Sequence, residues 1–153
     1  MSRYAYFKTS RKSDSELHKK VREVLTSMFP ITERYEEYPL DKVLEKGYRN
    51  QNIKDENQDQ FLLSRARKLR CDFCLLKLAT IIEVQGEHHY QIINYGKKDT
   101  LDKGKERFEH RKHLDKIKRL IYKEAGFNLV EIPYDKVRDK TNEEIESFIQ
   151  DKM

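Results

Sequence analysis

Residues 69–76 (LRCDFCLL) and 81–89 (IIEVQGEHH) are two short apolar runs with a four-residue turn between them, and together they predict one β-hairpin. Each run carries acidic residues that a buried strand normally excludes. Side chains alternate along a strand, so Leu69, Cys71, Phe73 and Leu75 should share one face while Arg70, Asp72 and Cys74 share the other. Ile82 and Val84 then join the apolar face, and Glu83 and Gln85 the polar one. A turn centred on Lys77 and Leu78 places Asp72 directly opposite Glu83. Two carboxylates that close raise each other's pKa unless a cation lies between them, so the pattern points to a divalent-metal site.

Asp72, followed on the next strand by Glu83-Val84-Gln85-Gly86 and a His-rich exit, resembles the active-site hairpin of the PD-(D/E)XK nuclease superfamily. Within it, the likeness is nearest to phage-type and very-short-patch-repair-like endonucleases, whose second strand ends in a similar polar-Gly-x-x-His pattern. The resemblance implies an α/β fold with a restriction-endonuclease-like αβββαβ core: a central mixed sheet flanked by helices. It also implies a metal-dependent DNA endonuclease, with Asp72, Glu83 and the Val84 carbonyl as metal ligands, and a histidine such as His88 assisting near the strand exit. Glu16, on the first helix, stands where the family often carries an acid that reaches the metal. Gln85 occupies the place of the family's strand lysine. It can orient a water or a phosphate oxygen but supplies no positive charge, which Lys116 or Lys118 of a later helix would have to provide. Magnesium suits such oxygen ligands and keeps several waters, and manganese should substitute. The metal would lower the pKa of a water, hold it in line with a phosphodiester and stabilise the charge on the phosphate.

The chain of 153 residues fits a single domain, 1–153, with the resemblance covering about residues 13–134. Charged residues make up 39% and hydrophobic ones 37%, with seven Phe and nine Tyr, which is polar yet foldable. No apolar run reaches the ~20 residues that span a bilayer, and the N-terminus MSRYAYFKTSRK has no signal-peptide stretch, so no membrane partner and a cytoplasmic location are expected. Cys71 and Cys74 should stay reduced, pointing to opposite faces of the strand.

The net charge of +5 is unevenly spread. Residues 97–123 hold eleven Lys and Arg against five Asp and Glu, and Arg65, Arg67, Lys68 and Arg70 lead into the first hairpin strand. Basic stretches on both sides of an acidic pair would draw a phosphate backbone to a metal centre, so DNA contacts are expected from Arg65, Arg67, Lys68, Arg70, Arg111, Lys116 and Lys118. Solvated helix faces would give the same composition.

Ser13-Asp14-Ser15-Glu16 has the capping-box form, which explains Glu16 without any metal; Leu17, Val21, Val24, Leu25 and Met28 then recur at helical spacing up to Pro30. Residues 32–38 (TERYEEY) predict a strand with Glu33, Glu36 and Glu37 facing solvent or one of them nearing the site, and residues 46–60 predict a long mobile loop. Residues 91–104 should be irregular, with Gly96 and Gly104 as breakers. A helix over 105–125 should follow, stopped by Gly126. Leu114, Ile117, Leu120 and Ile121 form its core stripe, and Arg111, Asp115, Lys118 and Tyr122 form a polar ridge beside it. A buried strand over 127–132 and a short C-terminal helix with Ile145, Phe148 and Ile149 on one side complete the chain.

His88, His89, His110 and His113 are all candidate acid–base groups, and Asp115 can orient one of them or pair with Arg111 or Arg119. A rival constellation, Cys71-x-x-Cys74 with His110-x-x-His113, has zinc-ligand types and would make a binding module. The lysine missing at Gln85 likewise allows a catalytically inactive nucleic-acid-binding protein of the same fold. A double-strand cutter this small would need a homodimer or two binding events, whereas a nickase would act as a monomer.

Overall fold

The computed structural model describes residues 15–30, 34–90 and 101–153, apart from the side chain of His88. Ser13 and Asp14, residues 31–33 and the irregular stretch expected over 91–100 lie outside the described residues. The described chain runs α1 (Glu16–Met28), β1 (Arg34–Pro39), α2 (Leu40–Asn50), α3 (Gln60–Ala66), β2 (Arg70–Leu75), β3 (Thr80–Gln85), α4 (Leu101–Ala125), β4 (Asn128–Pro133) and α5 (Asn142–Lys152). The four strands form one mixed sheet in the order β1-β2-β3-β4; β1–β2 and β2–β3 are antiparallel and β3–β4 is parallel. The crossover from β3 to β4 is α4, as a parallel pair requires.

Helices cover both faces of the sheet, so both faces are apolar. One face packs Cys71, Cys74 and Ile81 against α2, α3 and α4. The other packs Phe73, Leu75, Ile82, Val130 and Ile132 against α1 and α5. The face expected to be polar is therefore buried under α4, and the acids are what is exceptional on it.

Of the residues expected to form a long loop, 46–50 belong to α2 and Gln60 opens α3, so the connection is shortened to 51–59, with a 3-10 turn at Asp55–Asn57. Leu40, Val43, Leu44, Gly47 and Tyr48 are buried along one side of α2, an apolar stripe at helical spacing hidden among Lys, Glu and Arg. Tyr48 accepts the Asp59 backbone N–H on its hydroxyl at 3.3 Å, while Asp59 caps α3 through its own carboxylate. Gly104 is buried within α4 rather than breaking it, and Leu120 is 47% exposed where a core position was expected; Ile117, Ile121, Tyr122 and Ala125 carry the contact. Gly126 ends α4 at φ 73°, the left-handed C-terminal position that glycine occupies without strain. The cap of α1 is Ser15, which accepts from the His18 backbone N–H at 3.1 Å, so the helix begins two residues later than a Ser13 cap would place it.

The β1–β2 ladder holds one register but skips a step between Glu36↔Phe73 and Tyr38↔Cys71. At the skipped position Glu37 sits at φ 53°, a left-handed conformation uncommon for a residue with a side chain. The alternation resets across this kink. Tyr35 and Tyr38 fall on the same face with ring centroids 4.7 Å apart, and Cys71 joins Cys74 on that face instead of opposing it. Both cysteines are buried and free.

Gly47 lets α2 pack closely on the end of α4: a Cβ there would stand 2.4 Å from the Ala125 carbonyl oxygen, which is backbone and cannot yield. Gly47→Ala should therefore cost about 1–3 kcal/mol in urea unfolding, despite the better helix propensity of alanine. Unchanged or raised stability would mean that the two helices are not packed this closely.

Candidate active site

β2 and β3 part where the two acids meet. The paired positions Phe73↔Ile82, Cys74↔Ile81 and Leu75↔Thr80 have the register that sets Asp72 opposite Glu83. At that next step side chains replace the ladder: Asp72 Oδ2 accepts the Val84 backbone N–H at 2.8 Å, and the Asp72 N–H points to Glu83 Oε2 at 3.4 Å. β3 continues alone beside β4 as far as Gln85↔Pro133. The opening between the strands is the floor of a cavity of about 470 Å³, walled by α1 on one side of the sheet and α4 on the other.

The polar ridge of α4 faces this cavity as its spacing predicts: Arg111, Asp115, Lys118 and Tyr122 all line it. The Tyr122 hydroxyl donates to Glu83 Oε1 at 2.5 Å and Lys118 Nζ approaches the same oxygen at 3.2 Å. Lys118, not Lys116, is the lysine brought to the acids; Lys116 is exposed on another side of the helix. Burial, above all, and then the neighbouring Asp72 charge push the Glu83 carboxyl up to about 8, against the pull of Lys118 and Tyr122. Burial likewise pushes the Tyr122 hydroxyl well above its ordinary value. Lys118 rises above its usual range because Glu83 and Asp72 outweigh the effect of its own burial.

Gln85 is buried with its amide committed at both ends, accepting from the Tyr90 hydroxyl and donating to Glu131. Glu131 in turn takes a two-point contact from Arg119, at 3.0 and 2.7 Å. An amide so held fixes Arg119 beside the cavity; it is not free to turn towards a water. Glu16 is likewise not brought to the acids. Its carboxylate is 87% exposed and pairs with Lys19 at 3.0 Å, because the first residue of α1 points outwards.

His89 Nδ1 lies 2.8 Å from Asp115 Oδ2, and both line the cavity. The histidine oriented by Asp115 is thus His89. The side chain of His88 lies outside the described residues, and His110 and His113 are exposed on α4. With Cys71 and Cys74 buried and both of those histidines at the surface, the zinc constellation is not assembled. Among the described residues no group of three or more His, Cys, Asp and Glu converges on one point.

Of the expected phosphate contacts, Arg111 and Lys118 line the cavity, whereas Arg65, Arg67, Lys68 and Lys116 are exposed away from its lining. Arg70 is also exposed and donates to the Glu37 carbonyl at 3.1 Å, at the kink. Arg119, expected only as a partner for Asp115, and Arg138, not named from the sequence, also line the cavity; Arg138 pairs with Glu87.

Three further residues belong here. Of the acids expected to face solvent or, for one of them, to near the site, Glu36 is fully buried on β1. It is held by Arg22, with Nε to Oε2 at 3.1 Å and Nη2 to Oε1 at 2.5 Å, and by His18 Nε2 at 2.8 Å from Oε1. Burial raises the Glu36 carboxyl, but the hydrogen bonds from His18 and Arg22 prevail and bring it down to about 2. Burial disfavours the charged His18 ring, yet the Glu36 hydrogen bond and the charges of Asp72 and Glu36 together lift it above its usual value. The one sequence signal was His18 and Arg22 four apart beside the apolar stripe of α1, a pattern that a solvated face produces equally well.

A carboxyl whose folded value is raised from 4.5 to about 8 binds a proton in the folded state that the unfolded chain has released, so its contribution is complete below about 4.5 and lost as pH rises towards 8. In metal-free buffer the protein should lose on the order of 3 kcal/mol between about pH 5 and pH 8, and Glu83→Gln should remove most of that slope in chemical denaturation. Parallel slopes in both proteins would show that Glu83 is ionised throughout.

No helix among the described residues is long and apolar enough to cross a membrane. No family model, curated protein or solved structure matches this chain.

Proposed function

We propose that the protein is a metal-dependent DNA endonuclease that hydrolyses phosphodiester bonds, with a restriction-endonuclease-like core. The observation that carries this reading is the Asp72–Glu83 pair, set face to face where two strands part and opening into a cavity that Arg111, Lys118, Arg119 and Arg138 also line. Without α2, α3 and α5, the element order is αβββαβ, the succession the family resemblance implies.

The residues fit a divalent cation. Glu83 and Asp72 are in hydrogen-bond contact, and an acid that keeps its proton because of burial and then of a second acid beside it can exchange that proton for a cation. Asp72, Glu83 and the Val84 carbonyl would hold Mg²⁺ or Mn²⁺, which supplies a low-pKa water and charge stabilisation at the phosphate. The remaining work belongs to the side chains. Lys118 carries positive charge to the acids from α4, the role a lysine two residues after Glu83 would otherwise fill. Arg111, Arg119 and Arg138 receive the phosphates flanking the reactive one, with Gln85 and Glu131 fixing the Arg119 fork. The exposed Arg65, Arg67 and Lys68 extend the basic surface along a longer duplex.

The second reading, a nucleic-acid-binding protein without catalysis, is favoured by one observation: Gln85 is neutral and its amide is fully engaged.

Supercoiled plasmid in Mg²⁺, Mn²⁺ or EDTA distinguishes the two. The expected result is metal-dependent conversion to nicked or linear DNA that disappears in folded Asp72→Asn and Glu83→Gln variants. Lys118→Met should cut about 100-fold more slowly while Lys116→Met cuts normally. Binding without cutting in every metal would leave the protein as a binder, and equal effects of the two lysine variants would remove Lys118 from the reaction. Mg²⁺ should also raise the melting temperature of the wild type and not of Asp72→Asn.

A further inference from the structure

The wall of the cavity opposite α4 carries a hydrogen-bonded chain that the carboxylate pair does not require. His18 lines the cavity from α1, its side chain 16% exposed, and its ring stacks on Phe73 with centroids 4.6 Å apart. Its Nε2 is tied to Glu36, and Glu36 is anchored behind it by the two-point contact from Arg22. Among the described residues Nδ1 has no partner, so it is the nitrogen left for a substrate.

Arg22 already meets the charge of Glu36 through two hydrogen bonds, and His18 adds a third contact to the same carboxylate. What the histidine adds is a cavity-lining ring fixed by stacking and by one nitrogen, which is how a carboxylate orients an acid–base imidazole. Its place relative to the acids matters as much. Phe73, on which the ring stacks, belongs to the face packed by α1 and α5, while Lys118 and Tyr122 reach Glu83 from the opposite face. An in-line displacement needs its entering and departing oxygens on opposite sides of the phosphorus, and this cavity has a different set of groups on each side.

We propose that His18 is the general acid of the reaction, donating the Nδ1 proton to the departing oxygen, with Glu36 and Arg22 as positioning residues. The proposal rests on the nuclease reading above. As the oxygen of a water forms its bond to phosphorus, the bond to the departing oxygen breaks and its electron pair stays on that oxygen, which takes the proton from His18. The water's proton passes to solvent, and solvent returns a proton to the ring. Among the described residues the charged groups around the ring are Arg22 from its own helix, Glu36 from β1 and Asp72 from β2; the two acids favour the protonated form the step needs.

His18→Gln keeps a donor for Glu36 and cannot transfer a proton, so it tests the chemistry with the fold retained. Wild type and variant are compared on plasmid and on a duplex carrying a bridging phosphorothiolate at the mapped cleaved bond, whose sulfur departs without protonation. The expected result is a loss of about 100-fold on ordinary DNA, less than about fivefold on the phosphorothiolate, and an unchanged Kd for plasmid. Glu36→Gln should lose less on ordinary DNA and recover on the phosphorothiolate in the same way. Equal losses of the His18 variant on both substrates would make His18 structural, and no loss on either would remove it from the site; both overturn the general acid and leave the nuclease standing. A wild type that cuts neither substrate in any metal takes down both readings together.

Discussion

The hydrogen bond from Tyr122 to the buried Glu83 carboxyl ties the sheet to α4, and much of the site depends on it. A carboxyl sunk between a strand and a helix needs donors close by, and α4 supplies two from adjacent turns, the Tyr122 hydroxyl at 2.5 Å and Lys118 at 3.2 Å. Those contacts set the rotation of α4 on the sheet. That rotation turns Asp115 and Arg111 to the cavity one and two turns earlier, and the same helix buries Ile117, Ile121 and Ala125 against α2 and α3.

Two backbone irregularities meet at the site. The kink at Glu37 and the parting of β2 from β3 at Asp72 are neighbours in the ladder, and together they turn a regular hairpin into a cleft floor. A continuous ladder would have consumed the Val84 N–H in backbone pairing; here Asp72 takes it and is oriented by it. Backbone irregularity of this kind persists only where surrounding packing holds it, and the tyrosine pair Tyr35–Tyr38 and the buried cysteines pack against its flanks.

Much of this was legible in the sequence. The turn at Lys77 and Leu78 set the register that opposes Asp72 and Glu83, and the three- and four-residue steps from Arg111 to Tyr122 marked one face of α4. Other parts were not. The stripe from Leu40 to Tyr48 was written in the sequence but masked by charged neighbours, since the polar face of a helix dominates the composition of its segment. The sharing of one face by Cys71 and Cys74 was not written there at all, because strict alternation holds only for a regular ladder, and this one skips a step opposite Glu37, whose φ is positive. Which of Glu33, Glu36 and Glu37 would turn inward was hidden as well: nothing local distinguishes an acid that meets solvent from one that meets an arginine and a histidine of another helix.

By itself the sequence determined the α/β alternation, the hairpin register and the face of α4, because each follows from periodicities of two or 3.6 residues that act over a few neighbours. Only the tertiary structure decided which lysine reaches the acids, which histidine Asp115 orients and that His18 and Arg22 enclose Glu36. Those choices depend on how helices remote in sequence rotate and cross over the sheet, and that is set by packing of both faces at once.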